Sequence, residues 1–200
     1  MRSKRNHWFR SLIAGVPRPL RILDVGGTQT VWESLGFVNQ PEIEITLLNV
    51  KLSHSSYSNV ISVVGDARDM REYRDQEFDV VYSNSVIEHV GGQLDTRRMA
   101  NEIRRVGKRY FVQTPYRYFP IEPHFLFPMY QFLPCFIQVS LVQRFNLGWK
   151  PRQPDRAQAE AAVRSIHLLS KTEMHSLFPD ATFADEKIIG FPKSLLAFKI

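Results

Sequence analysis

Polar and small residues stand at the ends of several apolar, strand-like runs in the first half of the chain. The first run ends in Asp24-Val25, and Gly26 and Gly27 follow it just before a predicted helix. A carboxylate beside residues without bulky side chains lets a ligand approach the backbone at a helix N-terminus. Ligands of open α/β sheets bind beyond the carboxyl ends of the strands, so we expect the residues at these ends to form one site. The next three ends are Asn49, Gly65-Asp66-Ala67 and Ser83-Asn84.

The elements that would position these residues alternate between strands and helices. Apolar runs bounded by turn signals predict strands at 21–25, 43–50, 60–65, 78–83 and 110–113. Helical spacing and caps predict helices at 30–36, 94–106 and 171–178. This alternation predicts an α/β fold with a doubly wound, mostly parallel sheet. Two last runs, 182–189 and 194–200, predict an antiparallel closing hairpin with a reversed edge strand, which completes seven strands.

Charge and cysteine content limit the classes of protein and partner. Six of the 26 Lys and Arg residues stand in residues 1–21 without any acid, which leaves 20 basic and 20 acidic residues in the remainder. A nucleic-acid groove needs clustered Lys and Arg on the functional face, so the neutral body argues against a nucleic-acid partner. We predict a basic, solvated N-terminal arm over 1–20 and one domain over 21–200. The single cysteine, Cys135, indicates a reducing, cytoplasmic location.

The segment 116–158 departs from the strand pattern and holds ten of the 24 aromatic residues. It predicts an aromatic-rich helical insertion after the fifth strand, which caps the acceptor side of the sheet. No charged residue occurs between Glu122 and Arg144, but three prolines interrupt this stretch. Prolines favour a buried cap or an interfacial helix over a membrane span. With the basic arm, such a cap is compatible with a peripheral contact to an anionic membrane.

In order and spacing, the strand ends resemble those of class I S-adenosylmethionine-dependent methyltransferases, specifically the type 11 methyltransferase domain. The resemblance covers about residues 20–115 and again 168–200, which is similar to the last helix and closing hairpin of that family. It implies a Rossmann-like methyltransferase fold. It also implies an enzyme that uses S-adenosyl-L-methionine and releases S-adenosyl-L-homocysteine.

The resemblance assigns cofactor contacts to the strand ends. It implies that Asp24 and the backbone near Gly26 hold the methionine portion, that Asn49 contacts the ribose hydroxyls, and that Asp66 and Ala67 contact the adenine. The alternatives are structural roles: Asp24 as a helix cap or a turn acid, and Asp66 as a turn residue. The remaining residues of the predicted cofactor site are Gly27, Thr28, Ser83, Asn84 and His89.

The chain departs from the family pattern at two places. Thr28 and Thr30 stand where the family has its second and third loop glycines, and their Cβ atoms intrude on the predicted pocket. Asn49 stands where an acid is usual, and a neutral amide bonds a hydroxyl less strongly than a carboxylate does.

His124 follows the fifth strand, where the family's acceptor pockets lie. Methyl transfer from a sulfonium depends mainly on alignment, and a base is needed only for a hydroxyl or a protonated amine. We predict His124 as the base or as an acceptor-positioning residue, and the alternative is a structural histidine in a prolyl loop. The other predicted acceptor-pocket residues are Tyr116, Arg117, Glu122 and Phe125.

These residues predict methylation of an oxygen, or less favourably a nitrogen, on a small-molecule, glycan or lipid-linked acceptor. The alternatives are an RNA methyltransferase and a non-catalytic interaction protein that keeps the cofactor fold. Glu88-His89 is similar to the end of the Glu-x-x-Glu-His metal site of certain O-methyltransferases, but Ser85 replaces the first Glu. Two ligands fall short of a coordination set, so the sequence predicts no metal site.

Overall fold

The computed structural model describes the backbone of residues 2–200 and the side chains from residue 5 onward. Its strands are β1 (Leu20–Val25), β2 (Ile43–Asn49), β3 (Val60–Val64), β4 (Val80–Asn84), β5 (Tyr110–Pro115), β6 (Ile121–Glu122), β7 (Phe127–Pro128), β8 (Thr182–Ile188) and β9 (Phe191–Lys199). Its α-helices are α1 (Arg2–Ile13), α2 (Gln29–Leu35), α3 (Gln93–Val106), α4 (Cys135–Arg144), α5 (Arg156–Arg164) and α6 (Lys171–Leu177).

Seven of the strands form one sheet in the order β3-β2-β1-β4-β5-β9-β8. Strands β1 to β5 are parallel, and β9 runs antiparallel to both β5 and β8. The doubly wound, mostly parallel sheet with a closing hairpin is therefore confirmed. The chain order reverses between β1 and β4, and the ligand-binding crevice of an open α/β sheet lies at such a point.

The position of the reversed strand differs from the prediction. Strand β9 lies inside the sheet, next to β5, and β8 forms the edge. The side chains explain this order, because Leu195, Leu196 and Ala197 of β9 are buried on both faces. Strand β8 carries Asp185, Glu186 and Lys187 and is only half buried, which suits an edge.

The N-terminal segment is not the solvated tail that its charge predicted. Residues 2–13 form helix α1, in which Phe9 and Ile13 are buried. Phe9 packs edge-on against Trp32, Tyr82 and Phe111, which lie on α2, β4 and β5. The apolar side of α1 thus contributes to the core on one face of the sheet.

Two features of the flanking helices are well explained by local sequence. Helix α2 ends at Gly36, whose left-handed conformation (φ 69°) lets its N–H close the last turn. Helix α6 begins with a capping box in which Ser170 and Glu173 satisfy each other's backbone N–H groups. Helices α3 and α6 cover the second face of the sheet.

The insertion after β5 has a core of its own. The short antiparallel pair β6–β7 precedes α4 and α5, and the two helices pack together. We call residues 116–166 the cap. Within the described residues, no helix has the length and apolar character needed to cross a bilayer. The buried residues at the centre of the cap are Phe125, Tyr130, Val139, Val142, Leu147 and Ala159.

Candidate functional site

Two cavities of about 570 and 490 Å³ lie at the carboxyl ends of the central strands and share Gly26 in their walls. The larger lies between helices α1 and α2 and reaches Asp24 and Asn84. The smaller passes the ends of β2 and β3 and reaches His89. The expected cofactor-site residues that line one or both cavities are Asp24, Gly26, Gly27, Thr28, Asn49, Asp66, Ala67, Asn84 and His89.

Asp24 is wholly buried at the wall of the larger cavity. The indole Nε1 of Trp32 donates to its Oδ2 at 2.7 Å, while Oδ1 is buried with no hydrogen-bond partner in the part of the chain that the structure describes. Loss of hydration raises the pKa of this carboxyl group to about 7. A free buried carboxylate oxygen suits a cationic ammonium group, so the residue fits the amino acid end of the expected cofactor.

The two glycines after β1 are required by the packing of this loop. A Cβ on Gly27 would lie 1.7 Å from Oδ2 of Asp24, so any side chain there would displace the carboxylate. Gly26 has a φ of +78°, and a Cβ on it would lie 2.5 Å from a methyl group of Val86. The loop therefore keeps its backbone close to the carboxylate and open to the cleft.

The two departures from the family pattern leave the cleft open. Thr28 and Thr30 line the larger cavity without filling it, and Thr28 occupies the N-cap position of α2. Asn49 donates from Nδ2 to the backbone oxygen of Gly27 at 2.9 Å. Its amide therefore braces the glycine loop at the place where a ribose is expected.

Asp66 already has a partner of its own at the smaller cavity. Arg68 donates to both carboxylate oxygens, the shortest contact being 2.7 Å, and this arginine holds the pKa of Asp66 below its ordinary value. Both side chains are partly exposed, so the pair is accessible to solvent. Ala67 lies beside it and packs against the core.

The two predicted residues at the end of β4, Ser83 and Asn84, lie in different environments. Ser83 is wholly buried, and its hydroxyl donates to the backbone oxygen of Val25, so it supports the strand ends from inside the sheet. Asn84 lines the larger cavity and accepts a hydrogen bond from Nη1 of Arg5. The same guanidinium contacts Gln113 at 3.1 Å and Glu186 at 2.9 Å.

Three residues that sequence reasoning missed therefore belong to this site: Arg5, Trp32 and Arg68. The spacing of Trp32, eight residues after Asp24 on the following helix, was a usable signal, and so was the short distance between Asp66 and Arg68 in the chain. Arg5 offered no such signal because it reaches the strand ends only through the packing of α1.

His124 lies at the junction of the cap and the loop after β4. Its Nδ1 is 2.7 Å from Oε1 of the buried Glu122, and its Nε2 is 3.1 Å from Nε2 of His89. Glu88 lies close by, and its carboxyl group accepts a hydrogen bond from Thr114. Burial raises the pKa of Glu88 to about 7, and burial together with the adjacent His124 lowers the pKa of His89. The structure thus supplies a third residue to the pair Glu88 and His89.

The other predicted acceptor residues are divided between two places. Arg117, Glu122 and Phe125 line a cavity of about 200 Å³ inside the cap. Tyr116 lies outside this wall, where it pairs with Leu169 through a backbone bridge and packs against Tyr118.

A family model described as a methyltransferase domain matches residues 26–110. No curated protein has a sequence that matches the chain. Among solved structures, YcgJ from Bacillus subtilis superposes with a TM-score of 0.57 at 17% identity, covering 92% of this chain and 71% of that one. A SAM-dependent methyltransferase from Aquifex aeolicus gives 0.55 at 10% identity, covering 96% and 87%.

A third structure, the N-terminal domain of EvdMO1 in the presence of SAH and D-fucose, has a TM-score of 0.55 at 14% identity and covers 98% and 80%. These structures share the fold of the chain. The methyltransferase domain match confirms the family drawn from the strand ends and, with it, the cofactor of that family. Residues 26–110 thus match a methyltransferase domain, and the chain as a whole has the Rossmann-like methyltransferase fold.

Proposed function

We propose that this protein transfers a methyl group from S-adenosylmethionine to an oxygen, or less favourably a nitrogen, of a small-molecule, glycan or lipid-linked acceptor. The observation that carries the proposal is the cavity beside Asp24, a residue that has one buried carboxylate oxygen without a partner among the described side chains. Two cavities that share Gly26 in their walls offer separate room for an amino acid end and a nucleoside end.

When bound, the cofactor supplies an electrophilic methyl group on a sulfonium. Asp24 would bind the ammonium group, and the Gly26-Gly27 backbone would lie along the chain between ammonium and ribose. Asn49 would take a ribose hydroxyl while it braces Gly27, and Asp66 would accept from the adenine amine beside Arg68. Asn84 would lie beside the sulfur, held from behind by Arg5.

We propose His124 as the base or acceptor-positioning residue, and the cap as the wall that excludes water from the acceptor. Glu122 supports this role because its carboxylate fixes the imidazole through Nδ1. A site with the cap as its wall and with His124 and Glu122 as polar groups suits a compact acceptor that is held by apolar contacts and a few polar groups.

One observation favours a second candidate, the non-catalytic interaction protein. Three of the expected cofactor contacts already have partners inside the chain, since Asp24 is bonded by Trp32, Asn49 by Gly27 and Asp66 by Arg68. In that case the cleft would bind no cofactor, and the fold alone would have been kept.

Calorimetry with S-adenosylhomocysteine separates the two candidates. We expect wild-type protein to bind it, Asp24→Asn to bind it at least about tenfold more weakly because the ammonium loses its charged partner, and Glu33→Gln on the surface of α2 to bind normally. Absence of binding by correctly folded wild-type protein would support the non-catalytic candidate. Transfer of a labelled methyl group to small-molecule and lipid extracts, compared with total RNA, then sorts the acceptor classes.

A further inference from the structure

The loop after β4 and the cap meet in a cluster that the proposed cofactor contacts do not use in full. It consists of Glu88, His89 and His124, and one ligand-type atom of each lies within 4.8 Å of the other two. Glu88 and His89 belong to the short 3-10 helix Ile87–His89, and His124 belongs to the cap. The cluster therefore joins two parts of the chain that are 35 residues apart.

The oxygens beside the two Nδ1 atoms favour the tautomers in which both Nε2 atoms are electron-pair donors. Nδ1 of His124 faces a carboxylate oxygen of Glu122 at 2.7 Å, and Nδ1 of His89 faces the backbone oxygen of Ser165 at 3.4 Å. A neutral imidazole has one N–H and one bare nitrogen, so an acceptor at Nδ1 places the proton there. The two bare Nε2 atoms then face each other at 3.1 Å, an arrangement that a cation between them would stabilise.

Glu88 supplies the negative charge that such a cation needs. The side chain is fully buried, and one of its oxygens accepts from Thr114. The other, Oε1, is buried without a hydrogen-bond partner among residues 5–200, whose side chains the structure describes. An unpaired buried carboxylate oxygen is costly in a folded protein. Coordination to a metal ion would remove that cost.

We propose that Glu88, His89 and His124 form a binding site for a divalent transition-metal ion of the Zn²⁺ type. Two imidazole nitrogens and one carboxylate oxygen are the ligand set of many such sites, and imidazole favours these ions over Mg²⁺. With Zn–N bonds of about 2.0–2.1 Å, tetrahedral geometry sets two nitrogens about 3.3 Å apart, close to the separation of the two Nε2 atoms.

The contact between Glu122 and His124 adds the outer support typical of metal-bound histidine. A ligating histidine commonly donates its other N–H to a carboxylate, which fixes the ring and raises its basicity. Glu122 is buried and also accepts the backbone N–H groups of His124 and Phe125. Its position is therefore fixed independently of any metal.

This ligand set differs from the Glu-x-x-Glu-His pattern. The serine at the first position of that pattern, Ser85, donates to Gln113 and so points toward the β5 end rather than the cluster. The third ligand comes instead from the cap, through His124.

The site would tie the cap to the cofactor cleft. His89 lines the smaller cavity, whereas Glu122 lines the cavity inside the cap. Three protein ligands leave one tetrahedral position for water or an oxygen of the acceptor, as in catalytic zinc sites. With the metal ion bound, His124 would position the acceptor through the metal and would not itself accept a proton.

Metal binding by tag-free, chelator-treated full-length protein tests the proposal. We expect one equivalent of Co²⁺ to bind with the visible absorption of a low-coordinate site, and excess Zn²⁺ to displace it. Addition of Zn²⁺ alone should raise the Tm, because an ion that binds only the folded state stabilises it.

Substitutions distinguish the three proposed metal ligands from the residues around them. His89→Asn and His124→Asn should each weaken Co²⁺ binding by more than about 100-fold, and Glu122→Gln by about 10–100-fold as an outer partner. Glu88→Gln keeps the side-chain shape and the Thr114 contact, so it should fold and lose the metal. His54→Gln, at an exposed histidine elsewhere on the surface, should bind like wild type.

Failure of wild-type protein to bind Co²⁺ stoichiometrically would overturn the proposal, and so would folded variants of Glu88, His89 or His124 that bind Co²⁺ as tightly as wild type. The proposal is independent of methyl transfer. Calorimetry with S-adenosylhomocysteine on the chelator-treated protein measures cofactor binding separately, so either property can fail without the other.

Discussion

Asp24 shows how one buried side chain couples ligand binding to stability. Its carboxyl group lies under Gly27 with a single donor, Trp32, and loss of hydration raises its pKa to about 7. The folded protein therefore holds a proton there between about pH 4 and 7, whereas the unfolded chain has released it. The same reasoning applies to Glu88, whose pKa is also raised to about 7.

We predict that the ligand-free protein loses stability as the pH rises from about 5 to 8. Over this range Asp24 and Glu88 bind more protons in the folded state than in the unfolded state, so their contribution to the free energy of unfolding falls as the pH rises. Asp24→Asn removes the contribution of Asp24 to this pH dependence. As the pH rises, the Tm of the variant should therefore fall less than the Tm of wild type, and it should exceed the wild-type Tm at about pH 8. Thermal unfolding of both proteins across this range is the measurement, and parallel curves would contradict the assignment.

Gly27→Ala should damage the site without a change of charge. Its Cβ would lie 1.7 Å from the Asp24 carboxylate, so either the loop or the carboxylate must move. We expect a lower Tm and at least about tenfold weaker binding of S-adenosylhomocysteine, since even small displacements of a binding group are costly.

Gly15→Ala is the matched control for this substitution. A Cβ at Gly15 meets no atom within 4 Å, so the variant should bind and unfold like wild type. Calorimetry and thermal unfolding measure both effects, and equal behaviour of the two alanine variants would contradict the packing described around Asp24.

At the scale of elements, helix α1 is part of the fold and of the site. Phe9 fills the space between α2 and the central strands, and Arg5 of the same helix reaches Asn84 at the end of β4. Arg5 and Phe9 are four residues apart and so lie on the same side of α1, and the packing of Phe9 therefore sets the position of this charged group.

We predict that Phe9→Ala lowers the free energy of unfolding by about 3–5 kcal/mol, the usual cost of removing a buried aromatic ring. Phe136→Ala, which removes a ring that is 73% exposed on the cap, should change it by no more than about 0.5 kcal/mol. Urea unfolding of both variants gives the comparison. Equal stabilities would mean that α1 packs more loosely than its burial indicates.

The sequence predicted the elements whose signals are local. Gly36 ended α2 as expected, the Ser170 cap began α6, and the carboxyl ends of the strands lie within two positions of the predicted ones. Strand β9, however, begins at Phe191, three positions before its predicted start. Helix α1 was not predicted, although its apolar residues have helical spacing, because the basic residues of the segment suggested a solvated arm. The spacing is carried by Trp8, Phe9, Leu12 and Ile13.

Contacts between distant segments were outside the reach of sequence patterns. The approach of His124 to His89 depends on how the cap folds back over the loop after β4, and the place of β9 depends on competition between two strands for one position. Local propensity decides neither, because both are settled by long-range burial.

At the scale of the whole molecule, part of the positive charge is engaged in ion pairs. Arg5 is bound to Glu186, and Arg21 lies between Glu44 and Glu77. On α3 and the segment that follows it, several cations also have carboxylate partners: Arg98, Arg104, Arg105 and Lys108. These pairs reduce the free positive charge on α1, β1 and α3 that a phosphate backbone could contact.

We therefore predict weak binding to RNA that vanishes as salt is raised. At about 0.15 M salt, fluorescence anisotropy with a labelled single-stranded RNA should show a Kd no tighter than the micromolar range typical of non-specific contacts. Tight binding at that salt concentration, with methyl incorporation into the RNA, would instead favour the RNA methyltransferase.

The position of β9 between β5 and β8 also has a consequence for synthesis on the ribosome. Strand β5 lacks the second of its two neighbours, and β8 lacks its neighbour, until residues 191–199 have left the exit tunnel, because β9 is the strand that joins them. Both faces of the sheet keep apolar surface uncovered until then, and a translational stall shortly before residue 191 would leave a nascent chain prone to capture by chaperones.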